Sequence, residues 1–239
     1  MKNKYRVGIL GATGTVGQRF IQLLENHPQF EITALAASDR SQGKTYREAC
    51  QWRLSSDMPS SVSSLIVEAP HPPLDCDVVF SSLPGNLAPE TEAEFARAGY
   101  AVISNSSAYR MDADVPLLIP EVNHEHLKLL DVQRAKRRFG DGGRGFIVTN
   151  PNCSTIMIAL ALAPLHARFG IKAAVVTTLQ ALSGAGYPGV ASLDVADNVV
   201  PFIESEEEKI ERETLKILGR ISDDGVKEAP FAVSAQCHR

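Results

Sequence analysis

No two cysteines in this chain stand close enough in sequence to make a metal-binding or redox pair. Cys50, Cys76, Cys153 and Cys237 are far apart, with no C-x-x-C spacing. That argues against a zinc site or a disulfide framework and for a reducing, cytoplasmic compartment. Long apolar runs are also missing. The longest helical one, Ile156 to Leu165, is too short to span a bilayer. The basic N-terminus meets Gly8 and Gly11 before a signal-peptide core can form. Nor is there an excess of positive charge: net charge is −4, so no global field draws the chain to nucleic acid. The basic run 134–144 has no aromatic residue beyond Phe139 and ends in glycines, which reads as a solvated surface loop. What remains is an ordinary globular composition, 44% hydrophobic and 22% charged over 239 residues. At roughly 150 residues per domain, that is one large domain or two small ones.

The hydrophobic pattern alternates between strand and helix. Val7 to Leu10 reads as a short buried strand, Gln18 to Glu25 as a helix and Glu31 to Ala37 as a second strand. This β-loop-α-β order is the unit of a Rossmann-type, doubly wound parallel sheet. A strand at Asp77 to Ser82, a helix from Ala88 to Ala98 stopped by Gly99, and a strand from Tyr100 to Ser104 extend the α/β pattern. The proline-rich stretch 69–73 is a loop. Further on come a helix to about Arg168, a strand from Val175 to Leu179, an irregular glycine segment at 183–189, a charged helix from Glu206 to Leu218 and an alternating strand from Phe231 to Arg239. The division expected is a nucleotide-binding domain over 1–152 and a smaller, incomplete α+β domain over 153–239.

Two segments carry chemistry. Gly11, Gly14 and Gly17 form G-x-x-G-x-x-G between a strand and a helix, with Thr13, Thr15 and Val16 inside the loop. Glycine there permits a tight turn and lets the backbone approach a pyrophosphate at the helix start. The plain alternative is a glycine-rich turn without a ligand. After the second strand, Ser38, Arg40, Ser41 and Lys44 offer hydroxyl and cationic groups suited to a 2′-phosphate, which favours NADP(H) over NAD(H). Asp39 complicates this preference, and a solvated loop would explain Arg40 and Lys44 equally. The second segment, Asn150 to Thr155, puts Cys153 where an apolar strand ends and an apolar helix begins. Unpaired N–H groups and the positive end of the helix dipole favour a thiolate at such a position. A buried structural thiol is the competing reading.

The stretches GILGATGTVGQRF (8–20), AASDRSQGK (36–44), VVFSSLP (78–84), AVISNSSAYRMDADVPLLIPEVN (101–123), VTNPNCST (148–155), LQALSGAGYPG (179–189), EEEKIERETLKILG (206–219) and VSAQCHR (233–239) together resemble the aspartate-β-semialdehyde dehydrogenase family, most closely its fungal and archaeal branch. The resemblance implies NADP-dependent reductive dephosphorylation of L-aspartyl-β-phosphate to L-aspartate β-semialdehyde, a step towards lysine, threonine and methionine, by a homodimer or homotetramer assembled through the second domain. Cys153 matches the nucleophile that forms a thioester, and Gln180 the amide that orients substrate. Arg110, Asn152 and Lys209 match the groups that hold phosphate. Glu206 matches the carboxylate facing the substrate amine, and Arg239 the guanidinium facing its α-carboxylate. Ser82, Ser183, Gly184 and Gly186 match cofactor contacts. Taken alone, Lys209 also reads as a helix-surface ion pair with Glu213 at i+4 or Glu206 at i−3.

In the family, the general acid–base histidine follows the arginine matching Arg239 in an R-x-x-x-x-x-x-H pattern, and this sequence stops at Arg239. The expectation is therefore a C-terminally truncated enzyme, with turnover reduced by about 10²–10⁴-fold or more for want of that group. Among the other histidines, His238 alternates onto the strand face opposite Arg239. His124 and His126 look like the start of a surface helix, and His27, His71 and His166 have no catalytic context. Three alternatives stay open: N-acetyl-γ-glutamyl-phosphate reductase, malonyl-CoA reductase, and a non-catalytic NADP-binding protein.

Overall fold

The computed structural model describes residues 4–139, 144–222 and 224–239. The chain divides into two compact units, one of residues 1–109 and 130–150, the other of residues 110–129 and 151–239. The change of unit at 150 falls beside the expected boundary at 152/153. The excursion 110–129 joins the second unit because Leu117 and Ile119 are buried there against Ala159 and Ile217.

In the first unit, β1 (Tyr5–Leu10), β2 (Phe30–Ala36), β3 (Val67–Glu68), β4 (Val78–Ser81), β5 (Ala101–Ser104) and β6 (Phe146–Thr149) form one sheet. Its order is β3-β2-β1-β4-β5-β6 and every pairing is parallel, the doubly wound arrangement expected from the sequence. Val7, Ile9 and Leu10 are fully buried, as strands covered on both faces require. Helices α1 (Thr15–Leu24) and α2 (Ala88–Arg97) connect strands of this sheet. The core beside α1 gathers Ile21, Leu35, Tyr46 and Val67.

The basic run departs from the expected loop. Helix α3 (Leu129–Arg137) takes in its first four residues, while residues 140–143 lie outside the described residues. Burial explains the helix. Leu129 and Gln133, one turn apart, point inward. The Gln133 amide donates to the Ile147 carbonyl at 2.9 Å and accepts the Ile147 N–H at 2.8 Å. It thereby completes the outer edge of β6 as a neighbouring peptide would.

In the second unit, α4 (Cys153–Phe169) leads to β7 (Ala173–Leu179). Helix α5 (Glu206–Ile217), the antiparallel hairpin of β8 (Arg220–Ser222) and β9 (Gly225–Lys227), and β10 (Ala232–His238) follow. Strands β7 and β10 pair in parallel. Ile210 on α5 packs on Ala235 and Cys237 of β10. The other edge of β10 meets the same helix: Glu211 and Glu207, one turn apart, accept the Ala235 and Cys237 N–H groups at 3.0 Å each.

The expected surface position of His126 is not found. It lies in a 3-10 turn and is fully buried. Its ring faces the Asn123 amide through Nδ1 at 3.1 Å and the Gly219 carbonyl through Nε2 at 3.3 Å. Burial pushes its pKa down, which favours a neutral ring that accepts at Nδ1 and donates at Nε2. Among the described residues, no helix is long and apolar enough to cross a membrane.

Candidate active site

The glycine loop lies at the end of β1, where its backbone geometry excludes side chains. Gly11 has φ +74°, and a Cβ there would lie 2.8 Å from the Ser82 carbonyl oxygen. A Cβ on Gly17 would lie 2.4 Å from the Gly11 carbonyl oxygen and 2.8 Å from the Ala12 Cα. The loop is thus folded tightly against the first turn of α1. Gly14, the N-cap of α1, has no side chain to accept from the first N–H groups of that helix. Those donors suit a pyrophosphate, so the residues present fit a dinucleotide. Thr13 and Thr15 are half-buried and Val16 is exposed.

Three side chains brace this loop, two of them unmarked by sequence reasoning. The Tyr46 hydroxyl donates to the Ala12 carbonyl at 2.7 Å, and the Gln18 amide to the Thr13 carbonyl at 3.0 Å. Ser82, expected as a cofactor contact, donates to the Leu10 carbonyl at 2.9 Å. Near the ends of β2 and β4, Ser38, Asp39, Leu83 and Leu87 line a cleft of about 420 Å³. Ser41 is buried, with its N–H on the Ser38 carbonyl at 2.8 Å, which closes the turn after β2. Arg40 is exposed, and Lys44 donates back to its carbonyl at 2.8 Å.

In the second unit, Cys153 is the first residue of α4, and its thiol is exposed whereas Cys50, Cys76 and Cys237 are buried. The reading of Cys153 as a buried structural thiol therefore fails. Asn152 is the N-cap, its side-chain oxygen accepting from the Ser154 and Thr155 N–H groups at 2.9 and 3.3 Å. Asn152 Nδ2 donates to both oxygens of Glu206 at 2.8 and 3.0 Å. Lys209 Nζ also reaches Glu206, at 3.2 Å. Two of the expected phosphate ligands thus share one carboxylate, and the i−3 ion pair anticipated for Lys209 is present.

Arg110, the third, is buried. Its Nη1 meets Glu213 Oε1 at 2.9 Å, while Glu213 Oε2 accepts the Asn152 backbone N–H at 2.6 Å. Glu213 appeared in the sequence only as a candidate partner for Lys209. Its seven-residue spacing from Glu206 puts the two on one face of α5. One turn beyond, buried Lys216 donates to the Arg110, Asp112 and Val115 carbonyls at 2.6, 2.8 and 2.9 Å. Burial lowers its pKa from 10.5 to about 8.

Gln180 and Arg239 form a second group. Arg239 Nη2 lies 3.4 Å from Gln180 Oε1, and Gln180 donates its own N–H to the His238 carbonyl at 2.8 Å. Gly184 belongs to a 3-10 turn, Leu182–Ala185, and a Cβ on it would sit 3.2 Å from Arg239 Nη2. Ser183 is exposed, and Gly186 has φ +69°. No cluster of potential metal ligands occurs among the described residues.

Two family models match the chain: "Semialdehyde dehydrogenase, NAD binding domain" over residues 6–130 and "Semialdehyde dehydrogenase, dimerisation domain" over residues 162–239. The chain is 54% identical over 235 residues to an aspartate-semialdehyde dehydrogenase of Methanothermobacter thermautotrophicus, spanning 98% of this chain and 66% of that protein. Among solved structures, it is similar to the Candida albicans aspartate semialdehyde dehydrogenase determined with NADP, with TM-score 0.89 and 43% identity over 99% of this chain and 68% of that one. It is also similar to aspartate semialdehyde dehydrogenase II of Vibrio cholerae complexed with ASA, with TM-score 0.74 and 29% identity over 100% and 70% of the two chains. The chain thus spans about two thirds of the length of these relatives.

Proposed function

This chain belongs to the aspartate-semialdehyde dehydrogenase family, and from that premise we propose that Cys153 is the nucleophile of a reductive dephosphorylation of L-aspartyl-β-phosphate to L-aspartate β-semialdehyde. The observation that carries this reading is the placement of Cys153. It is the exposed thiol at the start of α4, next to a cap residue tied through Glu206 and Glu213 to Lys209 and Arg110.

The Cys153 thiolate attacks the acyl-phosphate carbonyl. A carbon–sulfur bond forms, the carbon–oxygen bond to phosphate breaks, and the dianion leaves towards Arg110, Lys209 and Asn152. NADPH, when bound, supplies the hydride that reduces the thioester. The thiohemiacetal on Cys153 then collapses to the aldehyde and releases the thiolate. Gln180 orients the acyl group through its amide, which donates and accepts without titrating. Arg239 takes the α-carboxylate in a two-bond geometry, and Glu206 takes the substrate ammonium.

In the other unit, Gly11, Thr13, Gly14, Thr15, Val16 and Gly17 hold the pyrophosphate. Ser38, Arg40 and Ser41 take the 2′-phosphate that selects NADP(H). Ser183, Gly184 and Gly186, which belong to the same unit as Cys153, are assigned to the nicotinamide side. The protein acts as a homodimer or homotetramer in the cytoplasm, where a reducing medium keeps an exposed thiol free. Its product serves lysine, threonine and methionine synthesis.

Two assays test the proposal. In the first, iodoacetamide labels Cys153, and inorganic phosphate slows the labelling. In the second, phosphate-dependent reduction of NADP⁺ by aspartate semialdehyde is followed over a single turnover, with N-acetyl-glutamate semialdehyde and malonate semialdehyde as competing substrates. Cys153→Ala abolishes the signal. Reduction at an unchanged rate in that variant would falsify the assignment.

A further inference from the structure

Glu213 has no role in the chemistry above, yet it touches two of the residues that carry it. It is 2% exposed. One oxygen holds the Arg110 guanidinium and the other the backbone N–H of the residue before the nucleophile. A buried carboxylate that uses both oxygens, one of them on a cation, is a rigid joint. Lys216 reinforces it from the same helix face by taking the Arg110 carbonyl at 2.6 Å. Arg110 is therefore fixed to α5 at its side chain and at its backbone, and Asn152 is fixed to the same helix at its N–H.

We propose that Glu213 is a positioning residue that holds Arg110 and Asn152 in one register, so that helix α5 sets the phosphate site. This inference rests on the reading of Arg110 and Asn152 as phosphate ligands. It makes a prediction opposite to simple electrostatics, under which removal of a carboxylate beside a cationic site strengthens anion binding. In Glu213→Gln the amide oxygen can still accept the Asn152 N–H, but the amide nitrogen then faces the guanidinium donor to donor and displaces it. Glu213→Asp keeps the charge but is one methylene too short to reach both partners.

The test measures protection of Cys153 from iodoacetamide by inorganic phosphate, and NADPH affinity by fluorescence, in the wild-type chain and both variants. Far-UV circular dichroism shows which variant remains folded at the assay temperature. Both variants should lose phosphate affinity by about tenfold or more, while NADPH affinity stays within about twofold. If either folded variant binds phosphate as tightly as the wild type, or if Glu213→Gln binds it more tightly, the positioning role is refuted. Absence of phosphate protection in the wild-type chain instead refutes the phosphate assignment itself, and the inference falls with it.

Discussion

Replacing Lys216 with methionine keeps the length of the side chain and removes one buried ammonium. The ammonium donates to three carbonyls, those of Arg110, Asp112 and Val115. Leaving a buried acceptor without its donor costs roughly 1–3 kcal/mol; the Asp112 carbonyl keeps the Val115 N–H at 3.1 Å, so the loss falls on the buried Arg110 and Val115 carbonyls and amounts to about 4 kcal/mol at mid-range. Against this, burial depresses the Lys216 pKa from 10.5 to about 8. Below pH 8 the ammonium is held at an expense of about 3 kcal/mol, and methionine removes that expense. The net expectation is a loss of about 1 kcal/mol at pH 7. The pH dependence follows from the same shift. Between pH 8 and 10.5 the unfolded chain keeps the Lys216 proton and the folded chain does not, so wild-type stability rises with pH through this window by up to about 3 kcal/mol. The methionine variant lacks that rise, and the gap between the two proteins widens as pH increases. Urea unfolding at pH 7 and pH 10 measures both quantities. Circular dichroism is the suitable probe, since Lys216 lies on helix α5. A variant as stable as wild type at pH 7, or a gap that stays constant with pH, would refute the reasoning.

Two further predictions concern the first unit. Gly17→Ala drives a Cβ into backbone atoms at 2.4 and 2.8 Å, so it should cost about 1–3 kcal/mol and weaken NADPH binding. Gly14→Ala, whose Cβ would lie 3.4 Å from the Gly11 carbonyl oxygen, should be milder; thermal melts and fluorescence titrations of equal outcome for the two would show the packing argument wrong. Glu92 is fully buried, and burial raises its pKa although Ser81 and Ser104 donate to Oε1 at 2.6 and 2.7 Å. The folded state therefore holds the Glu92 proton more tightly than the unfolded state, and its contribution to stability falls as pH rises through the interval above the ordinary glutamate value. Glu92→Gln, isosteric and uncharged, should gain stability relative to wild type at pH 8 and lose that advantage at pH 4. A difference that does not change with pH in urea titrations would contradict this account.

Local pattern carried most of the fold and the outline of the site. The strands around Ile9, Val79 and Val102 were readable because each is a short apolar run bounded by glycine or polar residues. The glycine loop and the Asn152-Cys153 step were readable because backbone geometry there restricts residue type within a few positions. What stayed hidden depends on partners distant in sequence. Glu213 meets Arg110 across 103 residues, and on its own helix it looks like any surface acid. His126 sits among polar neighbours in sequence, yet the Asn123 amide and the Gly219 carbonyl surround it in the fold. The helix through Arg134 and Arg137 was masked by its charge; Leu129 and Gln133 set its buried face, and Gln133 would not be counted as a core residue by polarity.

The way α5 meets β10 has a consequence for self-association. A free strand edge is a template for another chain, and pairing there is a bimolecular event governed by protein concentration. Glu207 and Glu211 already occupy the Ala235 and Cys237 N–H groups, and they are tethered to the same molecule. Tethered groups act at effective concentrations on the order of millimolar or above, whereas an intruding strand arrives at the concentration of the dissolved protein. The intruder also has to displace the two carboxylates that already accept these N–H groups. The contest is therefore weighted towards the intramolecular partner at ordinary protein concentrations.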